Sequence, residues 1–171
     1  MNISSDSPQA PDGERIINRL VDASVITRNN TGDDLTLADD FRALWRRRME
    51  HVRERDRIEL LALLLDADPK GLTIEDRDSI AVAHSGRTIG EWPSEAALIA
   101  DIAAFVALGE QLPAWEELDG TTRDELIARL RVFLECCPSC GGKLEDGAPG
   151  AIADETAAPE LSCVECGAAL F

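Results

Sequence analysis

Toward its C-terminus the chain carries two Cys-x-x-Cys pairs, Cys137-Pro138-Ser139-Cys140 and Cys163-Val164-Glu165-Cys166, with 22 residues between them. A glycine follows each second cysteine: Gly141 and Gly167. Each pair can supply two sulfurs from one tight turn, and the segment between them can fold back to bring the pairs together. Four thiolates so placed meet the tetrahedral demand of a structural zinc ion. Glycine adopts φ > 0 at little cost, so each turn can aim backbone N–H groups at its thiolates. A rubredoxin-like iron site would use the same ligands. Disulfides are the oxidising-compartment alternative, but Met1–Gly13 is polar and lacks the apolar core of a secretory leader, so an intracellular chain is expected. A thioredoxin-like redox pair would need a βαβ context, and no such pattern is visible. Cys136 breaks the two-residue spacing that Cys137 satisfies, and reads as a free thiol at a helix end.

Composition bounds the rest. A length of 171 residues suits one compact domain with a small appendage, and no run approaches the roughly 18 apolar residues of a membrane span. Acidic residues outnumber basic ones 33 to 17, for a net charge of −16, and Lys70 and Lys143 are the only lysines. This acidic, lysine-poor balance resembles that of haloarchaeal cytoplasmic proteins. The resemblance implies a habitat of concentrated salt, where screening over about 3 Å weakens long-range attraction to phosphates.

Met1–Asp12 is rich in Ser, Asp and Pro and reads as a disordered tail. Ile16, Ile17, Leu20 and Val21 recur at helical spacing and predict a helix ending near Ala23. Val25–Arg28 and Leu35–Leu37 then flank the polar run Asn29–Asp34, the pattern of a β-hairpin. Asp39 or Asp40 can cap the next helix, expected from Phe41 to about Asp66. The order of helix, Leu20–Arg28, polar turn, Leu35–Leu37 and helix is similar to the recognition-helix-and-wing half of winged-helix DNA-binding domains, over residues 13–50. That resemblance implies a DNA-reading helix with the hairpin as its wing, although the two helices that precede them in the family have no counterpart in the polar tail.

Seven arginines fall between residues 41 and 57 against Glu50, Glu54 and Asp56, making this the basic stretch of an acidic chain. Arg42, Arg46, Arg53 and Arg57 share one helix face. They suit either contact with nucleic acid or a partner, or local pairing such as Glu50 with Arg46 and Glu54 with Arg57. The run Leu60–Leu65 is apolar all round, which predicts burial.

Thr73 with Asp76 resembles a capping box and predicts a short helix through Ala83, ended by Gly86. The alternative is a hairpin of Ile80–His84 with Arg87–Trp92, because Ile80 and Val82 alternate. Lone His84 and His51 read as structural. Ser94 and Glu95 open a helix through Leu108 that is apolar apart from Asp101 and therefore central to the core; Gly109 is expected to halt it. Trp115 is expected to cover the core's edge. Thr122 and Glu125 form a capping box for a last helix, Arg123–Glu135, with the apolar stripe Leu126, Ile127, Leu130, Phe133 and Leu134. This helix runs straight into the first cysteine pair, which predicts a docked metal module. In that module Lys143–Glu145, Glu160–Ser162 and Ala168–Phe171 are candidate strands, and Asp146–Pro159 a mobile loop. Three short strands about Cys-Pro-x-Cys-Gly-Gly and Cys-x-x-Cys-Gly resemble the zinc-ribbon class.

The fold expected is mainly α: a helical body over 13–135 that starts with a helix and β-hairpin, then a small β zinc ribbon over 136–171. Zinc held by Cys137, Cys140, Cys163 and Cys166 would have a closed coordination sphere and a structural role. No phosphate loop, nucleophile elbow or His-Glu metal motif appears, tyrosine is absent and histidines number two, so no enzyme is expected. The expected function is a zinc-binding adaptor or regulator in the cytoplasm that works through a protein partner. The other reading is a DNA-binding transcription regulator, a homodimer using the N-terminal helix, the wing and the arginines.

Overall fold

The run from Ala96 to Leu108 is apolar on nearly every side, and a helix of that kind has to be enclosed. In the computed structural model, which describes residues 12–31, 34–146 and 161–171, that helix is the axis of the fold. Along the chain the elements are α1 (Asp12–Asp22), β1 (Ile26–Arg28), β2 (Leu35–Leu37), α2 (Asp39–Glu54), α3 (Arg57–Leu64), β3 (Leu72–Asp76), β4 (Ile80–His84), β5 (Arg87–Trp92), α4 (Glu95–Gln111), α5 (Gly120–Leu130), β6 (Leu144–Asp146) and β7 (Leu161–Cys163). The tail 1–11, the hairpin tip 32–33 and the expected loop at 147–160 lie outside the described residues.

Ser94 caps α4, its Oγ accepting from the Ala97 N–H at 3.2 Å. Ala96, Ala100, Ala103, Ala104 and Ala107 are buried, and their small side chains let neighbouring helices approach. Against them lies α2, burying Phe41, Trp45, Met49 and Val52 on one face. The Trp45 indole N–H donates to the Ala100 carbonyl at 3.1 Å, satisfying a polar group that burial would otherwise penalise. Leu126, Ile127 and Leu130 of α5 complete the core. Gly109 does not halt α4, which runs on to Gln111. A Cβ at Gly109 would stand 3.4 Å from the buried Trp115 ring, an ordinary contact, so the position faces that indole without requiring glycine.

Several expectations need correction. The helix predicted from Phe41 to Asp66 is two helices. Arg55 and Asp56 are extended, and the Asp56 carboxylate caps α3 by accepting from the Ile58 N–H at 3.0 Å. Neither Asp39 nor Asp40 caps α2; Ala38 holds the cap position and the two acids occupy the first turn, where they favour the helix dipole. For α5 the cap is Asp119, which accepts from the Thr122 N–H at 2.7 Å, rather than Thr122. This bond holds the Asp119 carboxyl below its usual range. α5 stops at Leu130, and a single 3-10 turn, Arg131–Phe133, leads on toward the cysteines. The run Leu60–Leu65 is not enclosed all round: Leu61 and Ala62 are buried, while Leu63 is 65% exposed.

The helix expected over residues 73–83 is absent. Those residues form β3 and β4 of an antiparallel sheet ordered β3-β4-β5, with Ile74 opposite Val82 and Ile80 opposite Trp92. The hairpin alternative gave the β4–β5 pairing, and β3 was not foreseen. At the turn Ser85 and Gly86 have φ of 52° and 84°; positive φ at both central residues marks the two-residue hairpin whose twist matches its strands. No atom lies within 4 Å of a Cβ added at Gly86, so a substitution there meets backbone strain alone. Gly86→Val is expected to lower stability by roughly 1–2 kcal/mol, read from the urea midpoint; no change would contradict the turn.

Candidate metal centre

The two cysteine pairs are held by turns of the same build. In the first, the Gly141 N–H donates to the Cys137 carbonyl at 2.9 Å and the Gly142 N–H points at the Cys140 sulfur at 3.4 Å. In the second, the Gly167 N–H donates to the Cys163 carbonyl at 3.0 Å and the Cys166 N–H points at the Cys163 sulfur at 3.5 Å. Gly141 and Gly167 take φ of 77° and 74°. A residue with a Cβ is disfavoured in that region, so both closing glycines serve the turns. β6 and β7 pair antiparallel, with Leu144 opposite Cys163. The third expected strand, Ala168–Phe171, is reduced to a single bridge from Ala169 to Ser162.

These turns bring Cys137, Cys140, Cys163 and Cys166 together, with all four sulfurs within 4.8 Å of one another. The closest cross-pair distances are 3.7 Å for Cys137–Cys166 and 3.5 Å for Cys140–Cys163. A disulfide needs about 2.05 Å. A tetrahedron of sulfurs each about 2.3 Å from a central ion has edges of about 3.8 Å. The donor set, its spacing and the N–H groups aimed at sulfur fit a metal ion. Cys136 stays outside the cluster; its backbone pairs with Lys143.

Cys137 and Cys163 are buried, whereas Cys140 and Cys166 are exposed. Burial pushes the Cys137 thiol up to about 12, while the N–H of Cys166 brings Cys163 down to about 7. An ion that takes four thiolates must displace the protons they hold. Cys137 holds its proton throughout the neutral range, and Cys163 regains one as pH falls through about 7. Cys163 has a depressed value, so what its thiolate contributes is present at high pH and lost on acidification. Metal affinity is therefore expected to fall as pH drops, and more steeply below about pH 7, where the Cys163 proton joins those that Cys137 and Cys140 already hold. Titration against a chromophoric chelator at several pH values checks this, and a flat profile contradicts it.

The four arginines expected to form one stripe serve different ends. Arg42 and Arg46 both pair with Glu135, at 3.3 and 3.0 Å, and Arg42 also with Asp39 at 3.0 Å. Arg57, displaced onto α3 by the helix break, pairs with Glu95. Arg53 donates through Nε to the Pro138 carbonyl and through Nη2 to the Cys137 carbonyl at 3.4 Å, gripping the first cysteine turn. Pairing of Glu50 with Arg46 or of Glu54 with Arg57 is not found among the described residues.

Further groups hold the module, and sequence reading did not single out Arg131, Asp101, Trp92 or Ser94 for it. Arg131 donates to both carboxylate oxygens of buried Asp101, from Nε to Oδ1 at 2.7 Å and from Nη2 to Oδ2. Its Nη1 donates to the Leu170 carbonyl at 3.1 Å. The Trp92 indole N–H also donates to Asp101, at 2.8 Å. Ser94 Oγ donates to the Ala169 carbonyl, and the Leu170 side chain is fully buried. A lone carboxylate in the apolar run of α4 was the one available signal, since a buried charge requires a partner.

Residues 15–132 match the model for the central domain of a family of unknown function, DUF8054. The chain belongs to the DUF8054 family. No curated protein and no solved structure matches it. The DUF8054 central-domain match contains Arg53, Asp101 and Arg131, the groups that grip the cysteine module, and ends before Cys137.

Proposed function

We propose that this DUF8054 protein is a non-enzymatic zinc-binding adaptor of the cytoplasm that acts through protein–protein contacts, with its C-terminal module a zinc ribbon on a helical body. The observation that carries the reading is where the arginines go. Arg42, Arg46 and Arg57 face carboxylates of the same chain, and Arg53 faces two backbone carbonyls. Cations so engaged are poorly placed to release counterions from a phosphate backbone. Four thiolates about one zinc leave no open position for a substrate or water, which suits scaffolding rather than catalysis. Two like turns joined by an antiparallel strand pair support the ribbon. The charge of −16 supports work in concentrated salt.

The other reading, a dimeric DNA-binding regulator, draws support from the order α1, β1, β2, α2, which places a hairpin beside a helix. Duplex DNA titrated into the wild type and Arg46→Glu at matched salt separates the two. Arg46 is about half exposed, and its replacement leaves the cysteine turns untouched. No binding tighter than about 10⁻⁴ M by either protein is the expected result. Tighter wild-type binding that Arg46→Glu weakens at least tenfold would overturn the adaptor reading.

A further inference from the structure

The break at Arg55–Asp56 has a consequence on the far side of α2. Where α3 diverges from α2 and both meet α4, an open groove of about 170 Å³ forms, lined by Arg48, His51, Val52, Arg55, Leu60 and Val106. Its floor is apolar and its rim carries two guanidinium groups and an imidazole, on a chain of net charge −16. Leu63, one turn beyond Leu60 on α3, is 65% exposed.

Two details say what kind of group the groove awaits. Arg48 donates to Glu110 and approaches His51 Nδ1 at 3.4 Å, yet its Nε is shielded from water with no acceptor among the described residues. Arg42 Nε is enclosed in the same way, and a donor so shielded is out of reach of a docked group, so recognition falls to the outer face of Arg48 and to Arg55. Arg55 makes no ion pair among the described residues. The groove lined by Leu37, Trp45, Met49, Phe133 and Leu134 also carries two arginines, Arg42 and Arg46, but it holds only about 20 Å³ and Glu135 pairs with both. One beside Cys166 is edged by Asp76, Asp78 and Glu95 as well as Arg77, and one between α1 and α5 balances Arg15 and Arg19 against Asp119 and Glu125.

We propose that this groove docks a peptide segment of a partner protein in which one bulky apolar side chain is flanked by carboxylates. A cavity of about 150 Å³ accepts a benzene-sized group, so the floor suits one phenylalanine or leucine. The flanking carboxylates meet Arg55, which makes no ion pair among the described residues, and compete with Glu110 for Arg48, giving register at contact range. An apolar anchor in a basic-rimmed cleft is a recurrent mode of peptide capture. The inference rests on the adaptor reading and adds the chemistry of its partner.

The test uses metal-loaded, ¹⁵N-labelled full chain, in salt that keeps it folded by circular dichroism. Three capped pentapeptides are titrated: a central phenylalanine between pairs of acidic residues, the same with alanine at the centre, and the same phenylalanine between basic residues. The acidic phenylalanine peptide is expected to shift the Val52, Leu60 and Val106 amides saturably. The alanine and basic peptides should bind at least tenfold more weakly, as should the acidic peptide to Arg55→Glu. Arg48→Ala is expected to weaken binding similarly, and Arg55→Glu keeps the test decisive where Arg48→Ala does not fold. Equal shifts with the basic peptide, or no shift at these amides, would overturn the proposal. Shifts confined to the residues around exposed Val164 would overturn the groove and leave the adaptor reading standing, whereas tight DNA binding lost in Arg46→Glu would remove that reading itself.

Discussion

Replacing Cys137 by serine is expected to leave the purified chain without a bound metal ion and the segment beyond residue 135 without protection from amide exchange. Cys137 is fully buried and its sulfur faces those of the other three ligands. A serine hydroxyl at neutral pH supplies neither the soft donor nor the negative charge of a thiolate. Within the module little else holds the chain together: two three-residue strands, and the side chains of Leu144, Leu161, Leu170 and Phe171. Metal binding of about 10–16 kcal/mol in comparable small peptides outweighs what so few apolar contacts supply. The body should outlast the module, because α2, α4 and α5 pack on one another without the cysteines. It should melt earlier, since Arg53 and Arg131 lose their carbonyl acceptors and Leu170 its seat. Elemental analysis gives metal per chain and hydrogen exchange gives the boundary of the loss. Cys136→Ser is the control and should retain one ion. A Cys137→Ser protein that still carries stoichiometric zinc, or a Cys136→Ser protein that has lost it, would show the ligand set to be misassigned.

The four-cysteine cluster and the central helix were the parts most open to reading from the residues, for related reasons. Four cysteines at fixed spacing state a local chemical demand, and the run Ala96–Leu108 is too apolar to be anything but enclosed. Where reading failed, two local signals competed or the partner was remote. Thr73 and Asp76 imitate a capping box, and Ala81 and Ala83 suit a helix, so the alternation of Ile80 and Val82 was outweighed. The decisive clue was Ser85-Gly86, a turn dipeptide that wants positive φ at both positions. The break in the second helix also had a signature, Asp56 with Glu59 three residues on, hidden within a stretch whose arginines drew attention to charge. Arg53 could not be read, because its acceptors are backbone carbonyls more than eighty residues away, and a carbonyl has no identity in sequence. An arginine stripe on a helix thus looks the same whether it meets phosphate or the edge of its own metal site.

Removing the Arg131 side chain is expected to be the most damaging single change within the helical body. Asp101 sits on α4 with its side chain 8% exposed, and the Arg131 side chain is 15% exposed. Two parallel donors from Arg131 and one from Trp92 compensate the buried carboxylate. Arg131→Ala strands that charge with the indole alone, and breaking a buried pair in this way costs about 3–5 kcal/mol. It also frees the Leu170 carbonyl, so the loss should appear both in the urea midpoint and in faster exchange near the C-terminus. Asp101→Leu combined with Arg131→Met distinguishes a compensated charge from a generally sensitive site. The double variant removes both charges and should recover about half or more of the single variant's loss. The remainder reflects the Trp92 N–H, left without its acceptor at about 1 kcal/mol. A single variant that unfolds within about 1 kcal/mol of wild type would mean that water reaches Asp101 freely. A double variant as damaged as the sum of its two singles would mean that the pair is not coupled. The pair links α4, the last turn of the body and the Leu170 carbonyl through one guanidinium, so its integrity bears on how firmly the metal module is held to the helices.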